Sequence, residues 1–254
     1  VGSEMCIRDR YSTLKIFEGI NIKLGTSAVP NYQDASFKLN FPCKKSSNIS
    51  VFGIGGTSRI DILLSKAKVD EVELYGQNDR DQIFGTSMGL LGTTYAKTIN
   101  AKTYFKTTVA GYLSEAWAHH NLFYRDSVTL LMDTLFPKLR YSFKTNKIVV
   151  NSSLNTKINS QHSYKTGIVA EQFFINFVDS NYIESVGIWD NREGTTGTSL
   201  LVRPYFSWKY KRTDNLSFTA GLHGLYFTLN NSYSIEPRLG MKWMLKDNQS
   251  ISAG

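Results

Sequence analysis

From Tyr233 onward every second residue is apolar: Tyr233, Ile235, Pro237, Leu239, Met241, Trp243 and Leu245. The residues between them are Ser234, Glu236, Arg238, Gly240, Lys242 and Met244. A period of two puts these sets on opposite sides of a β-strand, one greasy and one charged. The same alternation recurs along the chain. Phe37, Leu39 and Phe41 share a face in 34–41, with a further strand expected at 48–56. Met88, Leu90, Gly92 and Thr94 are in step within 81–98. Phe105, Thr107, Val109, Gly111, Leu113 and Trp117 align within 103–118, with Glu115 breaking the pattern. Val150, Leu154 and Ile158 align in 149–158, whereas 163–178 has apolar residues on both faces. Leu200, Val202, Pro204, Phe206, Trp208 and Tyr210 oppose Arg203, Tyr205, Ser207 and Lys209. Leu216, Phe218, Ala220, Leu222 and Tyr226 complete the set.

Short polar stretches separate these strands in the manner of hairpin turns: 42–48, 100–102, 159–162, 211–215 and 246–249. Longer polar connections are expected at 57–80, 119–138 and 179–197, with a short helix at 60–70 inside the first. The result is a sheet of about ten or eleven strands, with tight turns at one end and mostly long loops at the other. Several strands run to ten residues or more, past the soluble average of about five or six. About nine to eleven tilted residues cross a bilayer. Aromatic residues gather at strand ends, among them Tyr104, Trp117, Trp208, Tyr210, Tyr226, Tyr233 and Trp243, as in the girdles of membrane barrels. Pro204 and Pro237 sit mid-strand on the greasy face, where bulges near a rim are expected.

Composition changes this picture little. Aromatics make up 13% of the 254 residues. No run of apolar residues is long enough for a transmembrane helix, which a barrel does not need. The net charge of +8 is spread along the chain rather than gathered on one face, which argues against nucleic-acid binding. Two cysteines, Cys6 and Cys43, make no disulfide framework, and the four histidines have no metal-site spacing. Catalytic motifs are absent. "GIGGT" at 53–57 lacks the spacing of a phosphate loop, so neither enzyme activity nor a cofactor is expected. Residues 1–10, "VGSEMCIRDR", read as translated sequencing-adapter sequence and are expected to lie outside the fold.

The segments "GINIKLGTSAVPNYQDASFKLNFP", "VFGIGGTSRIDIL", "TLNNSYSIEPRLGMKW" and "NQSISAG" resemble barrel segments of TonB-dependent outer-membrane receptors. The branch they are most similar to carries a carboxypeptidase-regulatory-like domain before its plug. The resemblance runs over 11–254 and implies an all-β fold, an antiparallel transmembrane β-barrel. On this reading the chain is a partial barrel, without the plug and C-terminal strands, and not transport-competent alone. The short turns would be periplasmic and the long loops extracellular. Implied partners are the outer-membrane bilayer, a plug domain, the TonB complex and a surface lipoprotein; the implied task is uptake of a scarce solute.

Lys106, Lys165, Arg203, Lys209, Glu236, Arg238 and Lys242 are then candidates for the lumen wall. They would touch the plug or a passing solute, or simply form a hydrated, mutually neutralising lining. Tyr182, Trp189, Asp190 and Arg192 are candidates for ligand contact in an extracellular loop, with ordinary loop packing as the alternative. A different class also fits the alternation: a secreted or surface β-sheet protein that binds a glycan or protein, its greasy face packed beneath a second sheet.

Overall fold

A computed structural model describes residues 4–11, 30–43, 46–66, 77–126, 132–245 and 249–254. They form one antiparallel sheet of eleven strands, each paired with its neighbours in sequence. In order these are β1 (Glu4–Tyr11), β2 (Asn31–Cys43), β3 (Ser47–Ile62), β4 (Arg80–Asn100), β5 (Thr103–Arg125) and β6 (Met132–Lys157). Then follow β7 (His162–Ile183), β8 (Ile188–Lys211), β9 (Leu216–Phe227), β10 (Ser232–Met244) and β11 (Ser250–Ala253). Parts of the expected turns at 42–48 and 246–249, of the expected helix, and of the resemblance segment before residue 30 lie outside the described residues.

Directly opposed residues of an antiparallel pair share a face, so the register carries one face across the whole sheet. Starting from Leu239, the row runs through Ala220, Trp208 and Tyr164 to Thr156 and Thr103. Followed strand by strand, that face holds Phe37 and Leu39, Val51, Leu91, Val109 and Leu113, Ile148 and Val150, Ile168, Phe206, Phe218 and Leu222. Its large side chains are uncovered: Leu91 is 60% exposed, Leu239 78% and Tyr233 79%. No second layer packs against it among the described residues. Near the short turns His162, Trp208, Tyr210 and Phe218 stack on this same face, with centroids 4.8–6.5 Å apart, a girdle at one border of the apolar band.

The opposite face is polar. One strand is turned over relative to the expected pattern: Met88, Leu90, Gly92 and Thr94 lie on the polar face, while Gly89, Leu91, Thr93 and Tyr95 join the apolar one. On β4 both sets are similarly apolar and small, so alternation alone cannot pick the face; only pairing with β5 does.

Four glycines stand directly opposite an aromatic ring on the neighbouring strand: Gly53 and Phe37, Gly85 and Trp117, Gly92 and Phe52, Gly167 and Tyr205. A Cβ at these glycines would fall 2.3–2.6 Å from the partner ring. Each ring lies over the bare backbone and shields its hydrogen bonds, a pairing that holds register.

The strands overshoot the expected elements at the far end. β5, β6, β7 and β8 have 23, 26, 22 and 24 residues, far beyond what a bilayer needs. The expected connections at 57–80, 119–138 and 179–197 are therefore partly ladder. The third shrinks to a turn at 184–187, with Gly187 at φ 70°. Polar residues hid this extension, because a strand in water on both sides need not alternate. The expected helix at 60–70 begins inside β3 and continues as a 3-10 turn, Leu64–Lys66.

Neither mid-strand proline marks a register shift. Pairing of β8 with β9 stops at Val202–Tyr226 and resumes at Tyr205–His223, so Pro204 leaves a gap in that ladder. Gly224 lies beside it, and a Cβ there would be 3.1 Å from the proline ring. Pro237 lies outside the 241–244 stretch where β10 pairs with β11. Glu4–Tyr11, expected to lie outside the fold, pairs along β2. An open sheet edge offers its N–H and C=O groups to any extended segment, so this pairing requires no particular sequence.

Candidate functional site: the polar wall

All seven wall candidates share the polar face. Lys106 opposes Ser153, Lys165 opposes Ser207, Arg203 opposes Val169 and Lys209 opposes Thr219. On β10, Glu236 opposes His223, Arg238 opposes Gly221 and Lys242 opposes Ser217. They fall into two electrostatic groups.

The first group is neutralised. Glu171, in the middle of β7, accepts hydrogen bonds from Lys147 Nζ at 2.9 Å and from the Arg203 guanidinium. Its side chain is 10% exposed, which a carboxylate tolerates only when paired. Lys147 also lies 5.3 Å from the Tyr112 ring and 5.4 Å from that of Phe173. Three strands thus meet at one carboxylate. On β10, Arg238 donates to Glu236 at 2.8 Å in a more exposed pair. Sequence reasoning finds Arg203 and misses Glu171 and Lys147. Glu171 sits where both faces of 163–178 carry apolar residues, and a lone acid inside such a strand is the available signal.

The second group is unneutralised. Lys106, Lys165, Lys209 and Lys242 have no ion-pair partner among the described residues. Lys165 approaches the Tyr205 ring at 5.4 Å. Lys102, Lys157, Lys165 and Lys209 line one recess of about 430 Å³ near the short turns, with Tyr104, Asn155, Ser163 and Ser207.

The four loop candidates are not brought together. Tyr182 and Trp189 face each other across the ladder, edge to face at 5.3 Å, with the Arg140 guanidinium 4.7 Å from the indole centroid. Arg192 is the extra residue of a β-bulge and donates to Asp179 at 2.6 Å. Asp190 follows Trp189 along the strand and so points to the other face. These residues lie at the outer end of the long hairpin of β7 and β8.

The outer end of the sheet, beyond the length that crosses a bilayer, is packed around Leu64. Ile62, Leu64 and Phe123 pack together, flanked by Ile60 and Phe84. Asp81 accepts from Ser65 N at 2.8 Å and from Ser65 Oγ at 2.7 Å, which ties the 3-10 turn to β4. His120 stands edge-on to Phe84 at 5.3 Å, and burial, helped by the nearby Arg80, holds its pKa below the usual imidazole range.

No family model matches the sequence, and no curated protein matches it. In fold the chain is similar to the outer membrane transporter YddB from Escherichia coli. The TM-score is 0.50 at 11% identity, over 95% of this chain and 41% of that one. This chain therefore spans about two fifths of the transporter it resembles. At that identity the likeness speaks to the fold, part of an outer-membrane barrel.

Proposed function

We propose that this chain is part of the wall of an outer-membrane transporter, embedded in the outer-membrane bilayer, and that the intact protein is a TonB-dependent receptor. The observation that carries the reading is the uncovered, largely apolar face of the sheet. Among the described residues, eleven strands present one largely greasy side with no second layer packed on it. In water a face of that extent would drive association, whereas in a bilayer it is the expected exterior. The polar face then lines the lumen, with Lys106, Lys165, Arg203, Lys209, Glu236, Arg238 and Lys242 on the solute's side. The chain acts as scaffold and path rather than as a catalyst. In the intact protein a plug domain would close the lumen, the TonB complex would supply energy, and a surface lipoprotein would assist capture.

The test contrasts neighbouring residues on opposite faces. Leu239→Lys puts a charge against lipid and costs about 2–4 kcal/mol near mid-bilayer. Gly240→Lys puts the same charge on the polar face and is expected to be tolerated. Equal effects of the two in bilayer unfolding experiments, or full solubility of the chain without detergent, would remove the membrane reading. Dependence on TonB is tested separately, by solute uptake in cells with and without a functional TonB complex.

A further inference from the structure

The polar face has a one-signed region. On β5 to β10 it carries Lys106, Lys157, Lys165, Lys209, Lys211 and Lys242 toward the short turns. Among the described residues the carboxylates of this face on β7, β8 and β10, which are Glu171, Asp179, Asp190, Glu193 and Glu236, are all set farther from the turns, and Glu171, Asp179 and Glu236 are each tied to a cation. Solvated lysines on a surface would carry no inference. Here three of them are gathered by the register. Lys157 and Lys209 flank Ser163 in one row, and Lys165 sits one row above on the central strand. Strands lie about 4.8 Å apart, so the backbones of Lys157 and Lys209 are roughly 10 Å apart, with Lys165 roughly 7 Å up the strand between them. Four-carbon side chains close such gaps easily onto one small ion.

The chemistry of the lining narrows the ion. Arginine grips carboxylate and phosphate alike through its planar fork, whereas lysine ammonium groups act as compact point charges, so a cluster of lysines suits a small, multiply charged anion such as a phosphate group. The recess of about 430 Å³ has no arginine in its lining and adds the hydroxyls of Ser163, Ser207 and Thr219 and the amide of Asn155. Its volume lies within the range of small-molecule sites, roughly 300–1,000 Å³. Lysine-lined walls of one sign focus anions in pores and clefts. We infer that this recess is a binding site on the solute path for a phosphate-bearing anion, and that the transported solute carries phosphate groups. The inference rests on the barrel reading above, in which the polar face lines the lumen.

The experiment uses the full chain reconstituted in phosphatidylcholine vesicles, with inorganic pyrophosphate as probe and calorimetry as readout. Binding is expected, weakening with added salt and falling at least tenfold in the triple variant Lys157→Gln, Lys165→Gln, Lys209→Gln. The single variant Lys165→Gln, a milder change, is expected to lose severalfold, and acetate is expected to bind far more weakly than pyrophosphate. Unchanged affinity in the variants, or no binding to the inserted protein, would overturn the site and leave the barrel reading intact. Failure of the wild-type chain to insert would instead strike the barrel reading. Resistance of the three lysines to amine labelling before any pyrophosphate is added would mean that an acidic stretch of polypeptide occupies the recess, and would equally overturn it.

Discussion

Replacing Glu171 by glutamine isolates what a buried charge contributes to this wall. The carboxylate accepts from Lys147 on β6 and Arg203 on β8, so it couples three strands at once. Hydrogen bonds to charged groups contribute about 1.5–3 kcal/mol each. The full sum does not apply, because the cations are only partly desolvated: Lys147 is 28% exposed and Arg203 44%. Both can recover hydration once the carboxylate is gone, which moves the cost toward the surface ion-pair range of about 0–1 kcal/mol for each contact. The substituted amide would keep the volume and one acceptor. A net loss of about 2 kcal/mol is expected for Glu171→Gln. The assay is reversible urea unfolding in vesicles, read by tryptophan fluorescence. A double-mutant cycle with Arg203→Gln then separates the pair from the packing: coupling of about 1 kcal/mol or more is expected. Additive losses, or a change under about 0.5 kcal/mol for Glu171→Gln alone, would show that the three strands do not depend on this carboxylate.

Gly85→Ala forces a Cβ to within 2.3 Å of the Trp117 ring, so the indole must swing away; about 1–3 kcal/mol of destabilisation and a shifted tryptophan emission spectrum are expected, and an unchanged spectrum would refute the contact. Asp81→Ala removes both bonds to Ser65 and should expose Leu64–Lys66 to protease while leaving the strands near the short turns protected against hydrogen exchange. His120, whose folded pKa is depressed, is neutral in the fold and takes a proton more readily when unfolded. Its contribution is therefore complete above the ordinary value of 6.5 and lost as pH falls through the lower folded pKa. The thermal stability of the outer end should fall as pH drops over that range, and His120→Phe should flatten the slope.

The strands are legible in the sequence where one side of the chain meets a single kind of environment. β8, β9 and β10 alternate cleanly, and the structure keeps every residue of those patterns on the assigned face. Legibility fails in three physically distinct places. On β4, small and apolar residues occupy both faces, so the pattern has no phase until β5 fixes it. In 179–197 the ladder runs on with polar residues on both sides, and the sequence resembles a loop because water replaces the hydrophobic signal. At Glu171 the charge is informative only with its neighbours, since Lys147 and Arg203 are 24 and 32 residues away in sequence and meet it through strand pairing alone.

The same reasoning explains why the wall divides into two parts. A carboxylate that is nearly buried needs cations beside it, and pairing with both adjacent strands supplies them at Glu171. Nothing of the kind constrains the lysines near the turns. Positive groups on neighbouring strands repel one another, and a fold selected for stability alone would have interspersed acids or neutral side chains among them. Hydration relieves part of that repulsion without removing it. The retained imbalance is therefore a cost in the empty wall that an anion would relieve on binding. Neutralising Lys157, Lys165 and Lys209 should accordingly leave the empty protein as stable as before or slightly more so, by up to about 1 kcal/mol. Bilayer unfolding without anion measures this directly. A marked loss of stability in the triple variant would mean that the lysines hold the wall together, and the argument from imbalance would fail with it.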